Sequence, residues 1–226
     1  SKGVDPEKIF VCPSAVDMAH LDAAASNTGH RHPLLEGKRV ILSVARLVAQ
    51  KRIDLTVRSF ARIAGEFPQT CLVVVGDGPR RRSIEREISR LGLESRILLL
   101  GSVGPMSPEL LDLYRRADLF VMLGGEEGMP NVFMEAGAFG LPSVGVDSGG
   151  TPEIVRHGET GLLAAENEHD VADKMKRLLG DELLRQQMGD KAHRWIGEQF
   201  SLDVLSRKCF AILEQVLERS DQGTSA

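Results

Sequence analysis

From residue 39 onward, short apolar or β-branched runs alternate with segments of helical periodicity, and this alternation restricts the chain to an α/β fold. The runs are 39–44, 70–76, 96–101, 119–123, 142–146 and 161–163. Continuous apolar runs have no polar face, so they belong to strands covered on both sides, as in a parallel sheet. Between them the pattern predicts helices near 53–66, 80–92, 107–117, 130–139, 152–157 and 168–179. The expected architecture is a Rossmann-like doubly wound parallel sheet of about six strands with helices on both faces.

The two ends of the chain depart from this alternation. Residues 8–13 read as one strand ended by proline, and 26–33, rich in Ser, Asn, Gly and His, read as a linker. A lone strand ahead of a linker has no sheet to join, so residues 1–35 read as the end of a preceding domain. The start at Ser1 without methionine points to the same excision. Residues 36–200 then form the Rossmann-like domain. Over 201–219, Leu202, Leu205, Cys209, Ile212, Val216 and Leu217 recur at three and four. They make one apolar stripe on a helix, which packs on its own domain or docks on another. The last residues, 220–226, are a polar tail expected to fray.

Composition narrows the function classes. Lys and Arg number 28 against 32 Asp and Glu, a net charge of −4, which argues against a nucleic-acid binder. Eight Phe, one Trp and one Tyr are too few for base-stacking platforms. The three cysteines, Cys12, Cys71 and Cys209, are far apart and odd in number, so they form no disulfide framework or metal-ligand pair. That usage suits a reducing compartment, and Cys71, inside an apolar run, reads as a buried small hydrophobe. No apolar stretch approaches the ~18 residues of a membrane span. His30 and His32 lack a second ligand pair, and no G-x-S-x-G elbow is present.

The segment with most chemical content is G-G-E-E-G-M-P-N-V-F-M-E-A over 124–136. It follows a buried run and opens a helix, with Pro130 suited to the first helical position. The N–H groups of Asn131 and Val132 would then face an anion at the positive end of the helix dipole. Glu127 and Glu135 are separated by ~12 Å and ~80° if helical throughout, too far to share a proton. They read as acceptors for different hydroxyls of one elongated ligand, or, taken alone, as two surface carboxylates. Arg46 and Lys51 lie on the loop after the first run, a cation pair suited to a diphosphate but common on plain surfaces. The segment V-G-D-G-P (75–79) allows a tight turn and close backbone approach. It lacks the third glycine of a dinucleotide fingerprint. Arg80, Arg81 and Arg82 read as solvated, and G-G-T-P-E-I (149–154) reads as loop punctuation or a second wall of the same crevice.

Taken in order, V-A-R-L-x3-K (44–51), V-G-D-G-P (75–79), E-G-M-P-N-V-F-M-E-A (127–136), G-L-P-S-V (140–144) and G-G-T-P-E-I-V-x-x-G-x-T-G-L-L (149–163) resemble the C-terminal half of a retaining glycosyltransferase of family 4 with the GT-B fold. The resemblance covers nearly the whole chain. It implies a domain that binds a nucleotide-sugar donor (UDP- or GDP-sugar) and faces an N-terminal acceptor-binding domain across a cleft. Residues 8–17 would close that N-terminal domain, with 1–35 as its end and the linker, and the helix over 201–219 would cross back to it. Arg46 and Lys51 would bind the diphosphate and stabilise the leaving group, with the Asn131 and Val132 amides on the same phosphates. Glu127, with Gly128 and Met129 beside it, would contact the transferred sugar. Glu135 would grip the ribose, and the backbone of Gly101, Ser102 and Val103 would read the base. The resemblance implies no metal and no cofactor, a saccharide or lipid-linked acceptor, and a cytoplasmic enzyme, peripheral to the inner membrane face when the acceptor is a lipid. Ala45 and Pro130 stand where the family often has glycine. A non-catalytic nucleotide-sugar-binding module is the alternative from another class, and the presence of Arg46, Lys51, Glu127 and Glu135 together argues against it.

Overall fold

A computed structural model describes residues 9–12, 14–26, 35–125 and 128–223. Its sheet holds β1 (Arg39–Val44), β2 (Thr70–Val75), β3 (Ile97–Gly101), β4 (Leu119–Val121), β5 (Ser143–Val146) and β6 (Gly161–Ala164). All neighbours pair in parallel, in the order β3-β2-β1-β4-β5-β6. The chain builds outward from β1 to β3, then returns to lay β4 on the other side of β1. Loops leaving β1 and β4 therefore diverge to opposite faces and leave a crevice at the sheet's C-terminal edge.

The helices are α1 (Met18–Ser26), α2 (Ile53–Ala64), α3 (Arg81–Arg90), α4 (Pro108–Arg116), α5 (Asn131–Ala138), α6 (Thr151–Ile154), α7 (Glu168–Gly180), α8 (Glu182–Phe200) and α9 (Leu202–Gly223). All six β2 residues are buried, and the strand's period of two sorts them into two cores. Leu72 and Val74 pack with Phe60, Ile84, Met175 and Leu178 from α2, α3 and α7. Cys71, Val73 and Val75 share the other face with Tyr114, Phe133, Ile196 and Phe200 from α4, α5 and α8. This is the expected layering, helices on both faces of a parallel sheet.

The ends of the chain carry most of the differences. Residues 9–12 are in no strand, and residues 8 and 13 of the predicted run lie outside the described residues. Residues 16–26, by contrast, join the domain. Val16 bridges Ser201 in parallel, its N–H donating to the Phe200 carbonyl at 2.8 Å while its own carbonyl accepts from Leu202 N–H at 3.0 Å. Val16, Leu21 and Leu35 are buried in the Tyr114 core, and α1 over 18–26 is absent from the sequence expectations. So is the 19-residue α8. Its N-cap Asp181 accepts from Leu184 N–H at 2.8 Å and ends α7 as well. Its buried stripe is Met188, Gly189, Ala192, Ile196 and Phe200, with Arg185 buried and donating to the Leu178 and Leu179 carbonyls.

The last helix runs to Gly223, so residues 220–223 are helical rather than tail, and 224–226 lie outside the described residues. Of the predicted stripe on α9, Leu205, Cys209 and Ile212 are half-buried, whereas Leu202 and Leu217 are exposed, as are Phe210 and Leu213. The fold also brings two sequence-distant cysteines together. The Sγ atoms of Cys12 and Cys209 lie 2.6 Å apart, while Cys71 is buried and its thiol pushed up by that burial.

Candidate functional site

Arg46 leaves the C-terminal end of β1, beside the point where strand order reverses. Its loop is held by backbone hydrogen bonds and by Leu47, which is buried in the core. Ala45 N–H donates to the Val75 carbonyl and Leu47 N–H to the Asp77 carbonyl, both at 3.0 Å, and Arg80 N–H donates to the Leu47 carbonyl at 2.9 Å. Two glycines make that approach possible. A Cβ on Gly76 (φ +134°) would stand 2.0 Å from the Ala45 oxygen, and one on Gly78 would stand 2.6 Å from the Leu47 oxygen. The V-G-D-G-P segment thus cradles the backbone on either side of Arg46. Arg46 itself is exposed, and among the described residues no carboxylate pairs with it.

A 3-10 turn, Ala49–Lys51, then carries Lys51 to the exit of β4. A Cβ on Gly124 would come within 3.0 Å of Lys51 Cδ and 3.1 Å of the Gln50 oxygen, so the stem of Lys51 lies against the glycine that opens the 124–136 segment. That segment is fastened to the β5 side. Ser148 Oγ donates to the Gly125 carbonyl at 2.8 Å. Gly150 leaves no room for a Cβ, which would fall 1.8 Å from the Gly128 oxygen. The G-G-T-P-E-I stretch is therefore a second wall of the same crevice. Beside it, a cavity of about 450 Å³ is lined by Asp147, Ser148, His157 and Glu166 among others.

Pro130 is the N-cap of α5 and not its first helical residue, and the helix starts at Asn131. Phe133 N–H makes a backward bond to the Pro130 carbonyl at 3.1 Å. The amides of Asn131 and Val132 precede that bond, as anion binding at a helix start requires. Asn131 and Gly128 are exposed, and Val132 and Met129 half-buried. Met129 Sδ receives the Ser14 N–H at 3.2 Å, so residues before the sheet reach this loop. Glu127 lies outside the described residues, as do His30 and His32. Gly101 ends β3 with φ +79° and its carbonyl accepts from Gly76 N–H at 2.7 Å. Ser102 is exposed beyond it and Val103 packs on the core, two strands away from Arg46.

Glu135 is half-buried on α5, and its Oε2 accepts from the Tyr114 hydroxyl at 2.7 Å. Burial raises the carboxyl above its ordinary value, and the tyrosine's hydrogen bond acts in the opposite sense. Burial, and then the carboxylate itself, push the Tyr114 hydroxyl well above its ordinary value, so it stays a donor. Tyr114 is the functional neighbour that sequence reasoning missed. Its signal is faint: it is the only tyrosine in the chain, and a buried tyrosine needs a partner for its O–H. Among the described residues no group of His, Cys, Asp or Glu is gathered to hold a metal ion. No described helix is long and apolar enough to cross a membrane.

This geometry joins a parallel-strand crevice, a cation pair and a helix start, and sequence comparison assigns it a family. Residues 27–195, well over half the chain, match the glycosyl transferases group 1. The chain belongs to that family. It is 34% identical over 190 residues to an exopolysaccharide phosphotransferase of Streptomyces coelicolor, covering 83% of this chain and 20% of that protein. It is 32% identical over 189 residues to the N-acetyl-alpha-D-glucosaminyl L-malate synthase of Bacillus anthracis, covering 83% of this chain and 48% of the synthase. It thus spans about half or less of these relatives. Among solved structures, Anabaena HepE in complex with UDP and glucose superposes with a TM-score of 0.79 at 21% identity, over 94% of this chain and 58% of HepE. At that identity the likeness establishes the fold.

Proposed function

We propose that this group 1 glycosyltransferase chain is the donor-binding half of a retaining, metal-independent enzyme of family 4. The enzyme moves a sugar from a UDP- or GDP-sugar to a saccharide or lipid-linked acceptor in polysaccharide or glycolipid synthesis. One observation carries the reading: the β1 loop with Arg46 and Lys51 and the β4–α5 segment leave the same sheet edge where strand order reverses, with the Lys51 stem against Gly124. The UDP and glucose named in the HepE complex favour a nucleotide-sugar ligand for the same fold.

In this reading Arg46 and Lys51 hold the donor diphosphate, with the Asn131 and Val132 amides on its oxygens. The acceptor hydroxyl attacks the anomeric carbon on the face the phosphate leaves. The C–O bond to phosphate breaks with its electron pair on the phosphate, which takes the acceptor's proton. Fixed cations and helix-start N–H groups stabilise that developing charge more than the bound donor, which is what lowers the barrier. Glu127, flanked by Gly128 and Met129, contacts the sugar, Glu135 the ribose hydroxyls, and the Gly101, Ser102 and Val103 backbone the base. An N-terminal acceptor domain supplies the opposite wall, so this chain alone turns over poorly. The enzyme works in the cytoplasm, at the inner membrane face if its acceptor is a lipid.

Thermal melts with UDP, GDP and ADP, without added metal, test this. A ligand at a hundred times its Kd stabilises by ~2.7 kcal/mol, very roughly 5–10 °C for a domain this size. Arg46→Ala removes charge-assisted bonds worth about 1.5–3 kcal/mol each and should abolish the shift while the unliganded melt stays in place. A shift that survives Arg46→Ala overturns the diphosphate role of Arg46, and no shift with any of the three overturns the donor-site reading for this chain.

A further inference from the structure

Tyr114 is 1% exposed, and its hydroxyl is 2.7 Å from Glu135 Oε2. The ring stacks on Phe139 with centroids 5.6 Å apart and planes 1° from parallel, and it meets Phe120 at 6.0 Å. Phe139 directly succeeds α5, so the helix that carries Glu135 also supplies a wall of the ring's slot. A ring packed in this way holds its hydroxyl at a fixed point. A carboxylate without a partner rotates freely enough to present either oxygen, because its terminal torsion is broad. With Oε2 occupied, the other oxygen is the one left for a ligand. Among the described residues Tyr114 is the side-chain hydrogen-bond partner of the Glu135 carboxylate. Burial of a hydroxyl against a carboxylate one turn into α5 exceeds what core packing requires, since phenylalanine would fill the same slot.

We infer that Tyr114 is a positioning residue for nucleotide recognition: by holding Oε2 of Glu135 it orients the carboxylate toward the ribose hydroxyls without touching the ligand itself. The inference rests on the ribose role of Glu135 proposed above, and it assigns ribose selectivity to a residue behind the site. A purely structural tyrosine would affect every nucleotide equally. A positioning tyrosine affects only those that offer the hydroxyls.

The test compares affinities of the intact chain, Tyr114→Phe and Glu135→Gln for UDP, GDP and ADP and for their 2′-deoxy and 3′-deoxy forms. The parent is expected to favour a ribonucleotide by roughly tenfold, the worth of one hydrogen bond to a charged group. Tyr114→Phe should lose most of that preference while its affinity for the deoxy form stays at the parent's value. If Glu135→Gln loses the preference and Tyr114→Phe keeps it, the positioning role is overturned and the ribose role of Glu135 stands. If both variants keep it, the ribose role fails and the inference falls with it, as it does if none of the three nucleotides binds. Equal weakening toward ribo and deoxy forms assigns Tyr114 to structure alone and overturns the inference. Because the chain has a single tyrosine, growth on 3-fluorotyrosine labels this position alone and covers the case in which Tyr114→Phe does not fold. The single fluorine resonance should then move with a bound ribonucleotide and less with its deoxy counterpart. A resonance unmoved by a ribonucleotide that binds overturns the inference.

Discussion

Glu135 sits under two opposed demands. Recognition of a ribose calls for a carboxylate, and burial penalises its charge, raising its pKa. Glu135→Gln keeps an oxygen for the Tyr114 hydroxyl and removes the charge. The unliganded variant should therefore melt above the parent at pH 7 by a few degrees, about 2–4 °C per kcal/mol at this size, while nucleotide affinity falls. The pH dependence has a definite sign. With a raised native pKa, the folded chain takes up this proton before the unfolded chain does, so protonation adds stability as pH falls from the raised value toward the ordinary 4.5. The parent's melt should approach that of Glu135→Gln across this window, and nucleotide affinity should drop with it. Melting curves from pH 7 downward, with and without UDP, check both. A variant less stable than the parent at pH 7 would mean the fold needs the charge.

Between elements, the backbone that carries Arg46 depends on the close approach that Gly76 allows. Gly76→Ala combines a φ of +134° with a Cβ 2.0 Å from the Ala45 oxygen. Backbone strain of this kind costs about 1–3 kcal/mol, and relief requires the β1 loop to move. The variant should melt lower and bind nucleotide more weakly, although residue 76 itself carries no ligand contact in the proposed site. Gly180→Ala is the control: its Cβ meets nothing within 4 Å and it closes α7, so the change should be neutral or slightly stabilising. Calorimetry of both variants, with nucleotide titration of each, separates loop displacement from a general glycine effect. Equal behaviour of the two would remove the cradle from the account.

At the scale of the whole molecule, Val16, Leu21 and Leu35, ahead of the first strand, belong to the core of the body they precede. Val16 and Leu21 are 8% and 2% exposed and pack in the core that holds Tyr114 and Phe120. Starting the chain at residue 36 should remove burial worth roughly 3–6 kcal/mol for the pair and expose the Tyr114 side of the core. A chain of residues 36–226 is thus expected to melt well below the full one, and denaturant unfolding of the two measures the difference. Equal stability would mean that the burial of Val16, Leu21 and Leu35 adds nothing to the fold.

The alternation of fully apolar runs with helical segments was enough to place β1 through β6 and α2 through α7. A strand buried on both faces and an amphipathic helix each write their surroundings into local composition. The placement of the segments around Arg46, Lys51 and 124–136 at the ends of β1 and β4 was legible too, because a helix start after a buried strand demands particular residue types at close spacing. Other features depended on contacts between distant parts of the chain. α1 is short, with Leu21 as its buried anchor, and α8 spreads a thin stripe between exposed residues. Their helicity comes from docking on a core that local pattern does not describe. The close approach of Cys12 to Cys209 spans 197 residues, and the Tyr114–Glu135 bond joins α4 to α5. Sequence periodicity shows which face of an element is buried. Only the assembled sheet and its two layers of helices decide which buried group meets which, and at the crevice that meeting determines where a carboxylate points.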